Sequence, residues 1–374
     1  MFLFTFLVGS VHIHYIEGKR LSKKTSMVTL QGSDKYLAIG EVSDSISRFP
    51  PRLNVYSIGT SKILSSTSIQ GQDASLGYAI APIKNGFIAS SPQAAFRWGK
   101  PGPILTKIYS SRTIHETLNS SYIPYGETLA ASLYYKFVIA CSPFENKGCY
   151  IINETHRIIQ APDNVTLFGI AVAVSPSGRY YATMSRDHSR PVSIHIFNSS
   201  DEIENSFKIV HNPLIDLQQA RPYLHFDNDN SMIAGFPEIG KVFSYKRSTV
   251  GWVTEHPADI EMTSISKSGS YFITVNRDGE VKFFDNLFKE VDSINVQRSI
   301  KNSNFTKIVG GDTWFAVLED DGNERTLHIY STKSSNYFHA LFIVALLLVT
   351  SILYIIMRPK ISISVFRRPG KKLF

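Results

Sequence analysis

The chain has 374 residues, 43% hydrophobic and 19% charged, with 39 Lys and Arg against 31 Asp and Glu, a formal net charge of +8. Six of the positive charges, Arg358, Lys360, Arg367, Arg368, Lys371 and Lys372, stand in residues 358–374 with no acid beside them. The long N-terminal part is therefore close to neutral, which argues against a nucleic-acid partner. The sequence has no HExxH, no GxSxG, no phosphate-binding glycine loop and no zinc-type Cys/His spacing, and its 11 His are scattered. It points to a protein that is not an enzyme and holds no catalytic cofactor.

Residues 1–13, MFLFTFLVGSVHI, are apolar and too short to span a bilayer. Val8 and Ser10 are small residues ahead of a cleavage point, as in a signal peptide, and the later membrane segment requires an export signal if the chain is to be N-out. The same run also reads as a first β-strand. Lys19, Arg20, Lys23 and Lys24 follow closely, and His12 and His14 fall on one face of an extended segment.

Between residues 26 and 335 no helical period appears. Short runs rich in Val, Ile, Tyr and Phe recur between Gly, Pro, Ser, Asn and Asp, the pattern of β-strands and turns. They repeat about every 40–50 residues, the spacing of propeller blades. Leu76-Gly77-Tyr78 leads to Gly86-Phe87-Ile88-Ala89-Ser90-Ser91-Pro92. Tyr125-Gly126 leads to Phe137-Val138-Ile139-Ala140-Cys141 and Gly148-Cys149-Tyr150-Ile151. Phe168-Gly169-Ile170 leads to Tyr180-Tyr181-Ala182 and Val192 to Phe197. Met232-Ile233-Ala234-Gly235-Phe236-Pro237 leads to Gly240-Lys241-Val242-Phe243. Looser units start at Tyr36, Ser268 and Trp314. The predicted fold is all-β, a seven-bladed β-propeller over residues 26–335 followed by a single C-terminal transmembrane helix. One unit alone cannot cover both apolar faces; stacking in a ring buries them.

Within that domain, Cys141 and Cys149 flank a Pro-Asn-Gly loop and fall on facing strands of one hairpin. A disulfide is sterically allowed there, and so are two buried thiols. Asn119, Asn153, Asn164, Asn198 and Asn304 each begin an N-x-S/T sequon. Asp227, Asp229 and Ser231 place oxygen donors at alternate positions and read either as a calcium loop or as an Asx-type turn. Asp320-Asp321-Gly322-Asn323-Glu324 reads as a hairpin turn.

Residues 338–357, of which 340–357 read ALFIVALLLVTSILYIIM, carry no charge, Pro or Gly after His339 and are long enough to cross most of a hydrocarbon core. Arg358, Pro359 and Lys360 end the run. The basic tail of residues 358–374 favours the cytoplasmic side and puts the large domain in the lumen or outside the cell.

The repeated units resemble the FG-GAP repeat of integrin α-chain propellers. That resemblance implies adhesion or ligand recognition, with an unknown protein or glycan partner, and in such blades a calcium loop lies between the first two strands, where Asp227 stands. Ser231 replaces an acid of that pattern, and the integrin juxtamembrane motif is absent at Met357-Arg358-Pro359-Lys360. The unit at 268–284 looks more like a WD-repeat blade. The layout as a whole also resembles the propeller exchange factors that activate a small GTPase at the endoplasmic reticulum. Residues 35–58 are similar to their first blade, although Ile39-Gly40-Glu41-Val42-Ser43 replaces their potassium-binding glycine run. The ending Lys371-Lys372-Leu373-Phe374 resembles a dilysine retrieval signal, which implies coat proteins as partners and residence in the endoplasmic reticulum.

Overall fold

The computed structural model describes residues 11–21, 27–42, 51–59, 62–70, 77–84, 86–90, 105–109, 115–117, 127–134, 136–143, 148–152, 156–162, 165–187, 192–209, 222–255, 257–333 and 346–351. Strand β1 is His12–Arg20. Strands β2 (Met27–Ser33), β3 (Tyr36–Val42), β4 (Arg52–Ile58) and β5 (Ile63–Gln70) pair in sequence order as a first sheet. The second sheet is β6 (Ile80–Ile83), β7 (Gly86–Ser90), β8 (Leu105–Tyr109) and β9 (His115–Thr117). The third is β10 (Thr128–Ala131), β11 (Val138–Cys141), β12 (Gly148–Ile152) and β13 (His156–Gln160). The fourth is β14 (Val165–Val174), β15 (Tyr180–Asp187), β16 (Val192–Asn198) and β17 (Ile203–Ile209).

The fifth sheet is β18 (Tyr223–Asn228), β19 (Ser231–Phe236), β20 (Lys241–Ser248) and β21 (Gly251–Thr254), with the short β22 (Ala258–Asp259) also on β20. The sixth is β23 (Ser264–Ser268), β24 (Tyr271–Val275), β25 (Glu280–Phe284) and β26 (Glu290–Asn295). In the seventh, β27 (Asn304–Gly310), β28 (Trp314–Asp320) and β29 (Arg325–Lys333) are joined by β1 as the outer strand. The pairing runs antiparallel from His12 opposite Lys333 to Arg20 opposite Thr326. The protein is an all-β propeller, and the two ends of the ring-forming segment meet in one sheet.

Apolar clusters at the boundaries between sheets account for the ring. Ala38, Leu53 and Phe87 join the first and second sheets, and Ile88 with Val138 the second and third. Cys141, Phe168 and Tyr181 join the third and fourth; Ile194, Phe226 and Trp252 the fourth and fifth. Ile233, Ile265 and Phe272 join the fifth and sixth, and Leu37, Trp314 and Leu327 the seventh and first. Phe283 meets Phe315 edge-on at 5.5 Å across the remaining boundary. Middle strands are covered on both faces, so β7 and β11 are buried throughout, whereas outer β17 is mostly exposed.

Two sequence expectations need adjustment. Strand β1 lies upstream of the residue-26 boundary and takes His12 and Ile13 from the expected leader into the seventh sheet; residues 1–10 lie outside the described residues. Of the expected span 338–357, residues 346–351 are described and form a helix exposed along its length. Among the described residues no helix is long and apolar enough to cross a membrane.

Candidate functional site

The strand order gives the propeller two unlike rims. The turns from first to second and from third to fourth strand of each sheet share one rim, here the turn rim. Connections from second to third strand, and from one sheet to the next, share the other, the loop rim. At the turn rim neighbouring inner turns are hydrogen-bonded to one another. The Lys84 N–H donates to the Leu133 carbonyl at 2.7 Å, the Leu133 N–H to Pro176 at 3.2 Å, and the Ser177 N–H to Asp229 Oδ1 at 3.3 Å. Further round, the Gly269 N–H donates to Gly311 at 2.9 Å, and the Asp312 N–H and Trp314 Nε1 both donate to the Asp34 carbonyl at 3.0 and 2.9 Å. The loop rim carries the longest connections, among them residues 43–51, 71–79, 91–104, 118–127 and 210–222, which run from the first sheet to the fifth.

Sheets approach closely where an aromatic-Gly pair stands at the loop rim. Cys141 and Cys149, directly opposite in β11 and β12, form a buried disulfide with Cα atoms 4.3 Å apart. Gly169, at φ +88°, rests on it: a Cβ there would come within 2.4 Å of Cys141 Cβ and 2.9 Å of Cys149 Sγ. Gly77, at φ +84°, meets Gly40 in the same way, with its built Cβ 3.0 Å from Gly40 Cα. Both positions need the left-handed backbone and the missing side chain that glycine supplies. Thr hydroxyls tie the same boundaries: Thr29 Oγ1 donates to the Tyr78 carbonyl at 2.9 Å and Thr128 Oγ1 to the Gly169 carbonyl at 2.6 Å.

The proposed calcium loop diverges. Asp227 turns toward the sixth sheet, where it pairs with Lys267, while Asp229 turns toward the fourth and accepts from Ser177. Ser231 sits in β19 opposite Lys246. The two carboxylates thus face different neighbours, and among the described residues no group of three or more His, Cys, Asp or Glu could hold a metal ion. Around the Asp227–Lys267 pair, His225 stacks on Tyr223 at 6.0 Å. Burial, with Lys267 nearby, lowers the His225 imidazole to about 4, and burial also lowers the Lys267 ammonium.

Two other buried polar groups had no sequence signal. His195 on β16 is 7% exposed and hydrogen-bonded to Ser185 Oγ at 2.9 Å and Ser206 Oγ at 3.0 Å; burial lowers it to about 4. Glu319 on β28 is fully buried. It accepts from the Ser299 and Ile300 N–H groups at 3.0 Å, from Ser299 Oγ at 2.6 Å, from Ser303 Oγ and from His328 Nε2 at 2.8 Å. Burial pushes the carboxyl up, but the hydrogen bonds outweigh it and hold it at about 2. This cluster fastens the connection before β27 to the ring-closing sheet. It is packed among Phe305 and neighbouring strands, so it is a structural tie and not a site open to a ligand.

Of the sequons, Asn198 lies in the β16–β17 turn, where its Oδ1 accepts from the Ser200 and Glu202 N–H groups and its Nδ2 donates to Glu202. Asn304 is exposed at the start of β27 on the loop rim. Asn119, Asn153, Asn164, Lys371 and Lys372 lie outside the described residues. No family model matches the chain, and no curated protein matches it either.

Proposed function

We propose that the chain is a single-pass type I membrane glycoprotein of the secretory pathway. Its propeller lies in the lumen or outside the cell and acts as a non-enzymatic, adhesion- or receptor-like module for a protein or glycan ligand. The anchor is residues 338–357, the basic tail stays cytoplasmic, and Lys371 and Lys372 return the protein to the endoplasmic reticulum. The observation that carries the binding role is the inequality of the rims. One is tied together at most sheet boundaries by turn-to-turn hydrogen bonds, while the longest connections all leave the other, the usual placing of binding segments on a rigid scaffold. The Cys141–Cys149 disulfide supports an oxidising compartment. The aromatic-Gly contacts at Gly77 and Gly169 support an FG-GAP-like repeat. Endoglycosidase treatment of the expressed protein tests the reading: a mobility shift with high-mannose sensitivity is expected, and no shift counts against it.

A second reading, a cytosolic propeller that acts as an exchange factor for a small GTPase, has one observation in its favour. Residues 35–58 form one hairpin, β3–β4, whose long connection springs from buried Glu41, bonded to Asn54 Nδ2 at 3.0 Å. That is the segment in which the resemblance lies. Protease access to the propeller in intact microsomes would favour it.

A further inference from the structure

β29 runs toward the turn rim and ends there at Lys333, and β1 begins beside it at His12. Only residues 334–337 separate Lys333 from the span at 338–357, and four extended residues reach about 14 Å at most. A headgroup layer is about 5–7 Å deep on each side of the hydrocarbon. With residues 338–357 as the proposed anchor, the chain leaves the propeller within reach of the lipid.

The surface of that rim matches the position. Leu64, Leu133, Tyr134, Ile203, Val250 and Leu287 are exposed, Val250 at 87% and Leu287 at 84%, and all six lie in or beside turn-rim hairpins of five different sheets. Among the described residues, the other exposed large hydrophobics of the propeller, Tyr15, Ile158 and Val253, lie on outer strands within a few residues of the same rim. Two described turns of the loop rim are polar instead, with Arg277 and Asp278 in one and Asp320, Asp321, Asn323 and Glu324 in another; a third is Pro237-Glu238-Ile239-Gly240. Val250 and Leu287 stand almost wholly in solvent. Basic side chains accompany the apolar tips. Lys62, Lys136 and Lys289 are exposed beside Leu64, Tyr134 and Leu287, and Lys84 Nζ lies 4.8 Å from the Tyr134 ring centre. Of the acids on this rim, Asp201 pairs with Arg157, Glu202 accepts from Asn198 Nδ2, Asp229 accepts from Ser177, and Asp285 accepts from the Leu287 and Lys289 N–H groups; Asp34 and Asp312 are exposed near one another, beside Lys35. Apolar tips flanked by long cations are the chemistry of an interfacial lipid contact.

We infer that the turn rim rests on the bilayer, with its hairpin tips in the interfacial layer and its lysines at the phosphates, so that the loop rim points away from the membrane toward a partner. The inference rests on the anchoring of the chain by residues 338–357, but holds on either side of the membrane. The two cysteines of the chain are joined to each other, so one introduced thiol can be labelled alone. Full-length protein carrying Val250→Cys, Leu287→Cys, Asn323→Cys or Leu348→Cys, each bearing an environment-sensitive fluorophore, is reconstituted into phosphatidylcholine vesicles with and without nitroxide-labelled lipid. Labels at 250 and 287 should lose most of their emission to the nitroxide, at a depth of about 5–10 Å, and the label at 323 none. Quenching at 348 without quenching at 250 and 287, or equal quenching at 323, overturns the rim contact and leaves the anchor standing. No quenching at 348 overturns the anchor, and the rim contact with it.

Discussion

Replacing Glu319 with Gln keeps the side-chain volume but removes the charge and puts an amide N–H₂ among donors. Five donor groups converge on that carboxylate, from Ser299 twice, Ile300, Ser303 and His328, and it is fully buried. Leaving buried donors without an acceptor costs about 1–3 kcal/mol each before relaxation, and breaking a buried charged cluster costs about 3–5 kcal/mol in total. The titration gives an independent figure. A carboxyl held at about 2 in the fold against an ordinary 4.5 contributes about 3 kcal/mol near neutral pH. The folded value is depressed, so this stability is complete above 4.5, declines as the pH falls, and is gone below about 2. Denaturant unfolding of wild type and Glu319→Gln across this range should show a deficit of about 3 kcal/mol at pH 7 that shrinks by more than half at pH 3. A deficit below about 1 kcal/mol at pH 7, or one of equal size at both pH values, would refute the role assigned to the cluster.

The disulfide closes a loop with a sequence separation of 8. Cys141→Ser with Cys149→Ser should therefore lower unfolding free energy by about 2–3 kcal/mol, and reductant should destabilise wild type but not the double variant. Gly169→Ala puts a Cβ against that disulfide at positive φ, and should cost about 1–3 kcal/mol even in the double variant, because the backbone strain remains. If the propeller is lumenal, Asn304→Gln should remove a glycan and Asn198→Gln should not. The Asn198 amide is folded into its own turn, and its rim is the one assigned to the lipid; mass spectrometry of released glycopeptides reads the difference.

Much of the propeller was legible because its middle strands are covered on both faces and so read as unbroken apolar runs. Phe87-Ile88-Ala89, Val138-Ile139-Ala140 and Phe315-Ala316-Val317 are all buried and all stood out in the sequence. The fourth strands did not, because an outer edge strand faces water: Glu290–Asn295 reads EVDSIN and half of it is exposed. Strand β1 was obscured for the same reason. HIHYIEGKR carries charges on its exposed positions, and next to an apolar start it looks like the flank of a leader. The Asp227 loop left two readings open, and the Asn230 N–H donates to Asn228 Oδ1 at 2.8 Å, as in an Asx-type turn. Alternate spacing along one chain suggested convergence, but β18 has a neighbour on each side, and alternate residues answered to different sheets. Glu319 gave no signal, since its five donors come from residues 299–303 and from His328, which the ring brings together only on folding.

The sidedness of the ring is tested most directly by protease treatment of intact microsomes containing the full-length protein with an epitope at its C-terminus. The epitope should be lost while the propeller stays protected until detergent is added. A protected epitope with a digested propeller would contradict the lumenal assignment and transfer support to the exchange-factor reading.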